Sequence, residues 1–310
     1  MLEKKINESY RALKIGAQMS KEYYGKPLAI AYSGGKDSDV LINLAIKILK
    51  PEDMEVYHAH TTVDAPETVY HIRKVFKSIN ELGIRTTIKK PTYKGEPTTM
   101  WKLIADKGTP PTRVFRYCCS VLKESSMPNR IICTGVRKSE SVKRRGRGSF
   151  EVYGKTAKDA LFFSTDHADE VYRESHEIQD ENWDCNLIKN TKQNNDLIVN
   201  PIIDWTDTDV WDYLRSINWK WNPLYDRGYH RIGCIGCPLG GHKSMVKEFE
   251  DYPKYKENYI RAFGKMLKKR ETIKIQYWTD AEHVFKWWIQ DDTIDGQITI
   301  DEWLGEKLNG

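Results

Sequence analysis

The fold is decided by the stretch Ala29-Ile30-Ala31-Tyr32-Ser33-Gly34-Gly35-Lys36-Asp37-Ser38. Apolar residues at 28–32 predict a short buried strand, and apolar residues recurring at helical spacing over 37–46 predict a helix. A strand, a glycine turn and a helix N-terminus direct backbone N–H groups and the positive helix end toward one point, which favours an anion. Because the glycines allow close approach and Lys36 adds a positive charge, we predict a phosphate site in this turn. An ordinary strand-to-helix turn is the weaker interpretation, since six consecutive residues all suit phosphate.

Length and composition indicate a soluble globular protein. The 310 residues are enough for one large or two ordinary domains, and 30% of them are charged. No apolar run reaches the length of a membrane span, so we expect no membrane partner. The N-terminus lacks the apolar core of a signal peptide, which predicts a cytoplasmic location. The formal charge of +5 is compatible with a nucleotide or nucleic acid and requires neither.

Strands alternate with helices after the opening stretch. Residues 55–63 and 85–89 predict two further strands, and the helix between them begins at Pro66. Residues 130–134 predict another strand. This order predicts an α/β fold with a doubly wound, mostly parallel sheet.

Ligands of such sheets bind at the carboxyl ends of the strands. Asp64 and Gly135 follow predicted strands and would share that edge with residues 33–38. Asp64 could instead cap the following helix, and the residues alone leave these two roles nearly equal. Arg137 could hold a phosphate or sulfate through a bidentate contact. The basic residues that follow fit a solvated loop, and the nearby aromatic residues are too few to favour nucleic acid there.

The composition changes twice in the second half of the chain. Residues 143–199 are polar, charged and poor in aliphatic side chains, which predicts an insertion or lid. A helix that starts at Thr206 or Asp207 restores regular structure. Beyond residue 240 the pattern is helical and rich in tryptophan. We therefore predict a nucleotide-binding domain at 1–240 and a helical C-terminal subdomain at 241–310.

Six cysteines in a cytoplasmic chain point to metal ligands or catalytic groups rather than disulfides. Cys118 and Cys119 are adjacent, and Cys234 and Cys237 form a C-x-x-C pair. Four thiolates in this pattern suit a [4Fe–4S] cluster or a structural zinc ion, and the adjacent pair favours the cluster because tetrahedral zinc accommodates neighbouring cysteines poorly. Buried apolar thiols are the competing interpretation. Of the two remaining cysteines, Cys133 is expected to be a packing residue, and the role of Cys185 stays undecided.

Residues 33–38 match all six positions of the PP-loop of ATP pyrophosphatases, which cleave ATP between its α and β phosphates. With the stretches around it, the chain resembles the phosphoadenosine-phosphosulfate (PAPS) reductase family of the PP-loop superfamily. The ordered matches span roughly residues 26–240 and comprise, besides the loop, Val63-Asp64-Ala65-Pro66-Glu67-Thr68, Arg116-Tyr117-Cys118-Cys119, Leu122-Lys123, Thr134-Gly135-Val136-Arg137, Asn200-Pro201, Trp205-Thr206-Asp207, Asp209-Val210-Trp211, Asn222-Pro223-Leu224-Tyr225, Gly228-Tyr229, Cys234 and Cys237.

This resemblance implies a cluster beside a nucleotide. In the cluster-bearing members, the adjacent cysteines and the C-x-x-C pair hold a [4Fe–4S] centre, which implies the same role for Cys118, Cys119, Cys234 and Cys237. We predict that an adenine nucleotide is bound by the turn and the two strand-end residues: Ser33, Gly34, Gly35, Lys36, Asp37, Ser38, Asp64 and Gly135.

Two features depart from the reductases of this family. The reductases attack sulfur with a cysteine near the C-terminus, and this sequence has no cysteine after Cys237. They also usually carry a degraded PP-loop, whereas this loop has every residue. Both departures favour ATP with Mg²⁺, cleaved to AMP and pyrophosphate so that an acceptor is activated for sulfur transfer. Lys36, Asp37 and Arg137 would then be the catalytic residues.

Two other functions are compatible with these residues. One is an adenylyl-sulfate or PAPS reductase that makes sulfite, and the other is a non-catalytic sensor or partner protein that binds nucleotide and cluster. The adenylating function implies a sulfur donor such as a cysteine desulfurase. Its acceptor would be a nucleic acid if it works as the DNA- or tRNA-modifying branches do. The chain could also form a homo-oligomer.

Overall fold

The computed structural model describes residues 2–123, 130–141, 144–152, 197–270 and 278–290. Most of the predicted insertion at 143–199, including Cys185, lies outside these residues. Within the described part of the chain, no helix is both long enough and apolar enough to cross a bilayer.

Packing divides the chain into two compact units that interleave along the sequence. The first unit is formed by residues 1–60, 65–89 and 125–233. The second is formed by residues 61–64, 90–124 and 234–310. The sequence-based boundary at residue 240 differs from this division and stays a prediction.

A six-stranded sheet is the centre of the first unit. Its strands are β1 (Leu28–Ala31), β2 (Met54–Ala59), β3 (Arg85–Lys89), β6 (Ile132–Cys133), β7 (Phe150–Val152) and β8 (Leu197–Val199). They lie in the order β3-β2-β1-β6-β8-β7, and all pairs are parallel except β7 with β8. The predicted doubly wound, mostly parallel α/β sheet is confirmed.

Helices cover both sides of this sheet. In the first unit they are α1 (Leu2–Tyr24), α2 (Lys36–Ile48), α3 (Pro66–Glu81) and α6 (Asp207–Ser216). Pro66 is the first residue of α3, where its fixed φ suits the helix and its missing N–H is not needed. A capping box begins α6, because the Thr206 side chain accepts the Asp209 N–H and the Asp209 side chain accepts the Thr206 N–H.

The strand predicted at 55–63 is shorter than expected. It ends at Ala59. Thr62 then adopts a left-handed backbone with φ of 66°, which strand geometry does not allow. The backbone N–H of Thr61 donates to Oδ2 of Asp64 at 2.9 Å, which closes a turn. Asp64 therefore lies in a turn beyond the strand and not at its last residue.

The core of the first unit joins α1 to the segment before α6. Trp205 is 2% exposed, and its Nε1 donates to Oγ of Ser9 at 3.1 Å. Oγ of Ser9 donates in turn to the Pro201 carbonyl at 2.7 Å. The Trp205 ring meets the Tyr213 ring edge to face, with centroids 5.6 Å apart. Trp205 therefore links its own segment to α1 and to α6.

In the second unit, the regular elements among the described residues are helices and one small hairpin. Its elements are β4 (Thr92–Tyr93), β5 (Glu96–Pro97), α4 (Met100–Lys107), α5 (Tyr117–Leu122), α7 (His242–Asp251), α8 (Pro253–Arg270) and α9 (Ala281–Ile289). Helix α8 packs against α4, where the rings of Trp101 and Tyr259 meet edge to face at 4.8 Å. Nε1 of the buried Trp288 donates to the Pro111 carbonyl at 2.6 Å. The predicted helical C-terminal extension is thus confirmed.

Replacing Trp205 tests the packing of the first unit. Trp205→Ala removes a buried ring and its hydrogen bond, so we expect the free energy of unfolding to fall by about 3–5 kcal/mol. Urea unfolding followed by far-ultraviolet circular dichroism measures this change. Tyr70→Ala is the control, because Tyr70 is 70% exposed and should change the free energy by less than about 0.5 kcal/mol. Equal midpoints for the two variants would contradict this account of the core.

Candidate functional site

The turn between β1 and α2 is shaped by a glycine that no other residue can replace without strain. Gly34 has a φ of +75°, in the left-handed region that side chains disfavour. A Cβ added there would lie 2.9 Å from Cγ1 of Ile72. The chain can therefore take this path over α3 only with glycine at position 34.

Helix α2 begins directly at this turn. Its N-cap, Gly35, has no side chain to accept the first-turn N–H groups. The Lys36 N–H donates instead to Oη of Tyr225 at 2.9 Å. The positive end of the helix dipole adds to the charge of Lys36 at the same place.

The two serines of the predicted phosphate site hydrogen-bond within the turn. Oγ of Ser38 donates to the Gly35 carbonyl at 2.7 Å, and it accepts the Ser33 N–H at 3.3 Å. The two hydroxyl groups lie 3.2 Å apart. In this structure both serines hold the turn in shape, and their role as ligand donors stays a prediction.

Asn222 fixes the turn from a segment almost two hundred residues away in sequence. Its Nδ2 donates to the Gly34 carbonyl at 3.1 Å and to Oγ1 of Thr68 at 3.1 Å. The side chain is completely buried. The family resemblance includes residues 222–225, but no pattern in the sequence predicted that Asn222 and Tyr225 would contact residues 33–38. We call residues 33–38 the phosphate loop.

Four charged side chains form one network at the N-terminus of α2. Nζ of Lys36 lies 3.5 Å from Asp37 and 3.2 Å from Asp207. The guanidinium of Arg137 lies 2.6 Å from Asp37 and 3.1 Å from Asp207. The structure thus brings together the three predicted catalytic residues, and it adds Asp207, which the sequence analysis gave as part of a family match and a helix start but not as a site residue.

Burial differs sharply within this network. Lys36 and Arg137 are only 7% and 3% exposed, and the Asp207 side chain is 62% exposed. Burial raises the pKa of Asp37 despite its two cationic neighbours. Asp207 is also partly desolvated, but Lys36 and Arg137 outweigh that effect and lower its pKa. Asp207 is therefore the carboxylate that stays ionised and faces solvent.

Gly135 brings the strand end after β6 against the phosphate loop. A Cβ added to Gly135 would lie 3.1 Å from the main-chain carbon and oxygen of Asp37. Such a distance to backbone atoms would force the loop or the strand end to move. The predicted close approach at Gly135 is made, in this structure, by the backbone of the loop.

A buried polar group lies below the phosphate loop. Oη of Tyr32 donates to Oδ1 of Asp39 at 2.5 Å, and Nε2 of His71 lies 3.1 Å from the same hydroxyl and 3.3 Å from Oδ1. Asp39 is completely buried, and among the described residues its Oδ2 has no hydrogen-bond partner. These three side chains connect β1, α2 and α3 directly beneath the turn, so they help to hold the loop in position.

The four predicted cluster ligands all lie in the second unit. Cys118 and Cys119 are in α5, and Cys234 and Cys237 flank a tight turn. Hydrogen bonding with Cys119, followed by burial and the charges of Cys119, Cys234 and Cys237, raises the pKa of Cys118. The four thiols therefore form one electrostatic group. No three of these sulfur atoms, all within the described residues, lie within 4.8 Å of one another.

The turn between Cys234 and Cys237 requires glycine. Gly236 has a φ of +72°, and a Cβ there would lie 2.5 Å from Cζ of Phe249. Its N–H donates to Oε2 of Glu248 at 2.6 Å. This packing against α7 fixes where both sulfur atoms lie.

Cationic and polar groups surround the buried sulfur of Cys234. Its Sγ lies 3.4 Å from Oγ1 of Thr61, and the chain around it bridges to Asp64. The side chains of Cys234, Asp64, Cys237 and Cys119 raise the pKa of Lys123, and Cys234 contributes most. Burial raises the pKa of the Cys234 thiol, and the charge of Lys123 opposes that shift only in part.

The two remaining predicted residues have structural roles in this structure. Cys133 is completely buried in β6, as expected for a packing residue. Asp64 accepts the Thr61 N–H and is 8% exposed. Its predicted role in nucleotide binding stays a prediction. The N-cap residue of α3 is Ala65, and no side chain caps this helix, so Asp64 does not have the alternative capping role either.

The chain is similar to proteins of several kinds. An uncharacterized protein of Methanocaldococcus jannaschii is 26% identical over 271 residues, covering 83% of this chain and 54% of that protein. The chain spans about half the length of this and a second M. jannaschii relative. The adenosine 5'-phosphosulfate reductase of Geobacillus kaustophilus is 29% identical over 237 residues, covering 74% of this chain and 80% of the reductase.

One solved structure similar to the chain is the U34-tRNA thiolase NcsA from Methanococcus maripaludis with its [4Fe-4S] cluster. The match covers 96% of this chain and 83% of that chain, with a TM-score of 0.40 and 11% identity. The family model for the phosphoadenosine phosphosulfate reductase domain matches residues 27–239. That match includes the phosphate loop, Arg137, Asp207 and all four grouped cysteines, and the chain therefore belongs to the phosphoadenosine phosphosulfate reductase domain family.

Proposed function

We propose that the chain binds ATP at the phosphate loop and cleaves it between the α and β phosphates, so that AMP is transferred to an acceptor before sulfur transfer. The observation that carries this proposal is the pair of buried cations, Lys36 and Arg137, at the N-terminus of α2. Each lies beside the exposed carboxylate of Asp207. A polyphosphate can replace that carboxylate as the partner of both cations.

Replacement of Asp207 by a polyphosphate is favourable because Asp37 and Asp207 differ in exposure to solvent. Asp37 is mostly buried between Lys36 and Arg137 and remains their permanent partner. Asp207 is 62% exposed, so its ion pairs are weakened by solvent and contribute little to stability. Phosphate oxygens carry more charge and form bidentate contacts with arginine, so they bind more strongly.

The proposed reaction has two steps, transfer of the adenylyl group and then transfer of sulfur. An acceptor oxygen attacks the α phosphorus, the bond from that phosphorus to the bridging oxygen breaks, and pyrophosphate leaves with its electron pair. Lys36, Arg137 and the first-turn N–H groups of α2 stabilise the negative charge that develops on the leaving group. Hydrosulfide supplied by a sulfur donor then attacks the activated carbon of the acceptor, a carbon–sulfur bond forms, and the carbon–oxygen bond breaks so that AMP leaves with its electron pair. The acceptor we propose is a nucleic acid.

A divalent cation fits the same place. Asp37 and Asp207 supply carboxylate oxygens, which are the ligands that Mg²⁺ prefers alongside phosphates. Mg²⁺ bound there would neutralise charge on the β and γ phosphates. Asp207 would be available for this role once its cations bind phosphate.

The cysteine group fits an iron–sulfur cluster better than a zinc ion. Zinc with Zn–S bonds of about 2.3 Å requires four sulfur atoms about 3.8 Å apart. No three of the described sulfurs of Cys118, Cys119, Cys234 and Cys237 come within 4.8 Å of one another. A [4Fe–4S] cluster takes one thiolate per iron and needs a wider arrangement. When bound, it would carry or activate sulfur.

Reduction of adenylyl sulfate is the second candidate function. The relatives from several bacilli are named adenosine 5'-phosphosulfate reductases, and the match to the G. kaustophilus enzyme covers 74% of this chain. The same two cations, Lys36 and Arg137, could hold the phosphate or sulfate of such a substrate. A sensor that binds nucleotide without turnover is the third.

Lys36 is the test of the ATP reaction. Protein incubated with α-labelled ATP, Mg²⁺, a nucleic-acid acceptor and sulfide as the sulfur donor is expected to release AMP and pyrophosphate. Lys36→Ala should lower this rate by about 100-fold or more, because it removes a charge that stabilises the leaving group. Lys50→Ala, an exposed lysine just beyond the end of α2, is the matched control and should keep the wild-type rate.

Parallel incubation with adenylyl sulfate and a thiol separates the candidate functions. Sulfite release together with no AMP from ATP would overturn the adenylation proposal in favour of the reductase. Tight ATP binding with no product from either substrate would favour the sensor. Equal AMP formation by Lys36→Ala and wild type would show that the loop is not the reaction site.

Cys118 is the test of the cluster. Anaerobically purified protein is expected to be brown and to contain about four iron and four sulfide ions per chain. Cys118→Ala and Cys237→Ala should lose the visible absorbance and most of the iron. Cys133→Ala is the control, since Cys133 is buried in β6 outside the group and should keep both. Colourless protein with one zinc ion per chain would contradict the cluster.

A further inference from the structure

A cavity lined by aromatic rings lies beside the phosphate loop in the first unit. Its volume is about 260 Å³. Four aromatic side chains line it, Trp211, Trp221, Tyr225 and Tyr229, and so do the charged side chains of Arg215, Asp207 and Asp226. We call this cavity the aromatic cleft. None of the sequence-based site residues belongs to it.

The aromatic rings of the cleft are partly exposed rather than buried in the core. All four rings have intermediate exposure. An aromatic ring left half in water gains free energy when another ring or apolar surface covers it. Four such rings around one cavity therefore favour a flat, ring-shaped ligand. The volume is below the range of about 300–1,000 Å³ usual for small-molecule sites, which suits one ring system rather than a whole nucleotide.

Contacts hold three of the four rings, Trp211, Trp221 and Tyr225, in fixed orientations. Trp211 meets Trp221 and Tyr225 edge to face, with centroids 5.4 and 5.1 Å apart. Nε1 of Trp221 donates to Oδ1 of Asp226 at 3.0 Å, and Oη of Tyr225 accepts the Lys36 N–H at 2.9 Å. A ligand that stacks here loses little free energy to ordering the protein, because the rings are already ordered.

The cleft is continuous with the phosphate loop through two residues. Tyr225 lines the cleft and also contacts the first N–H of α2. Asp207 lines the cleft and also pairs with Lys36 and Arg137. A ring in the cleft therefore lies next to the group that the loop binds.

The charges at the cleft suit a nucleic acid. The two carboxylates that line it are already engaged, Asp207 by cations and Asp226 by Trp221. Arg215 lies with its guanidinium carbon 5.9 Å from the Trp211 ring centre and pairs with Asp212 at 3.3 Å, where both groups are exposed. Such an exposed pair exchanges readily for a phosphate.

We infer that the aromatic cleft binds a nucleobase by stacking, next to the phosphate loop. The inference deepens the proposed function and rests on it for the role of the bound base: the base belongs either to the nucleic-acid acceptor or to ATP. Stacking itself depends only on the rings of Trp211, Trp221, Tyr225 and Tyr229.

Two variants and one control test the cleft. Trp211→Leu and Tyr229→Leu keep an apolar side chain and remove a stacking face. Tyr70→Leu changes an exposed ring of the same unit outside the cleft. Binding is measured for three probes: a labelled single-stranded oligonucleotide of about 12 nucleotides, ATP, and inorganic triphosphate. Thermal unfolding identifies the variants that are folded, and Tyr229→Leu replaces Trp211→Leu if the latter is not.

We expect the cleft variants to bind the oligonucleotide about fivefold or more weakly, with triphosphate binding unchanged and Tyr70→Leu like wild type. A loss confined to ATP, with triphosphate and oligonucleotide unchanged, would support stacking and assign the base to ATP. Wild-type affinity of the folded cleft variants for all three probes would overturn the inference, and so would a wild type that binds neither oligonucleotide nor ATP more tightly than triphosphate.

The same measurements separate this inference from the proposed function. If wild type forms no AMP from ATP but the cleft variants still lose base binding, the proposed function fails and the cleft stands. If AMP forms and Lys36→Ala abolishes its formation, while the cleft variants bind all three probes as wild type does, the proposed function stands and the cleft inference fails.

Discussion

The structure of the first unit depends on holding two buried cations at the positive end of a helix. Lys36 and Arg137 are 7% and 3% exposed, and a buried charge without a partner is destabilising by several kcal/mol. Asp37 and Asp207 neutralise them from α2 and from the start of α6. Because one of these carboxylates is buried and the other is exposed, the arrangement is stable by itself and still open to an incoming phosphate.

Close backbone contacts set the geometry around this charge network. Gly34 passes over Ile72, and Gly135 approaches the backbone of Asp37, at distances that leave no space for a side chain. Asn222 then fixes the loop by donating to the Gly34 carbonyl. The rigidity of the loop thus comes from residues within it and from segments that follow it in sequence, and a preorganised loop loses less free energy when it binds an anion.

The two units hold different chemistry on one chain. The first unit concentrates positive charge and N–H donors, which select anions, whereas the second groups four sulfur atoms around a turn that Gly236 permits. The match to the family model includes both groups of residues, but proteins that share a fold catalyse many different reactions. The proposed reaction therefore rests on the side chains at the loop, and the aromatic cleft beside it suggests how an acceptor would be selected.

Local signals in the sequence determined the parallel α/β fold, the start of α3 at Pro66 and the glycine turn at 33–38, which we predict to bind phosphate. Each depends on periodicity, on proline or glycine, or on residue spacing, which are properties of short segments. Only the tertiary structure decided that the strand at 54–59 ends before Thr62. It also decided that Asp207 pairs with Lys36, and that Asn222 and Tyr225 contact the loop. Burial and ion pairing arise between segments distant in sequence, and no local pattern encodes which of them meet.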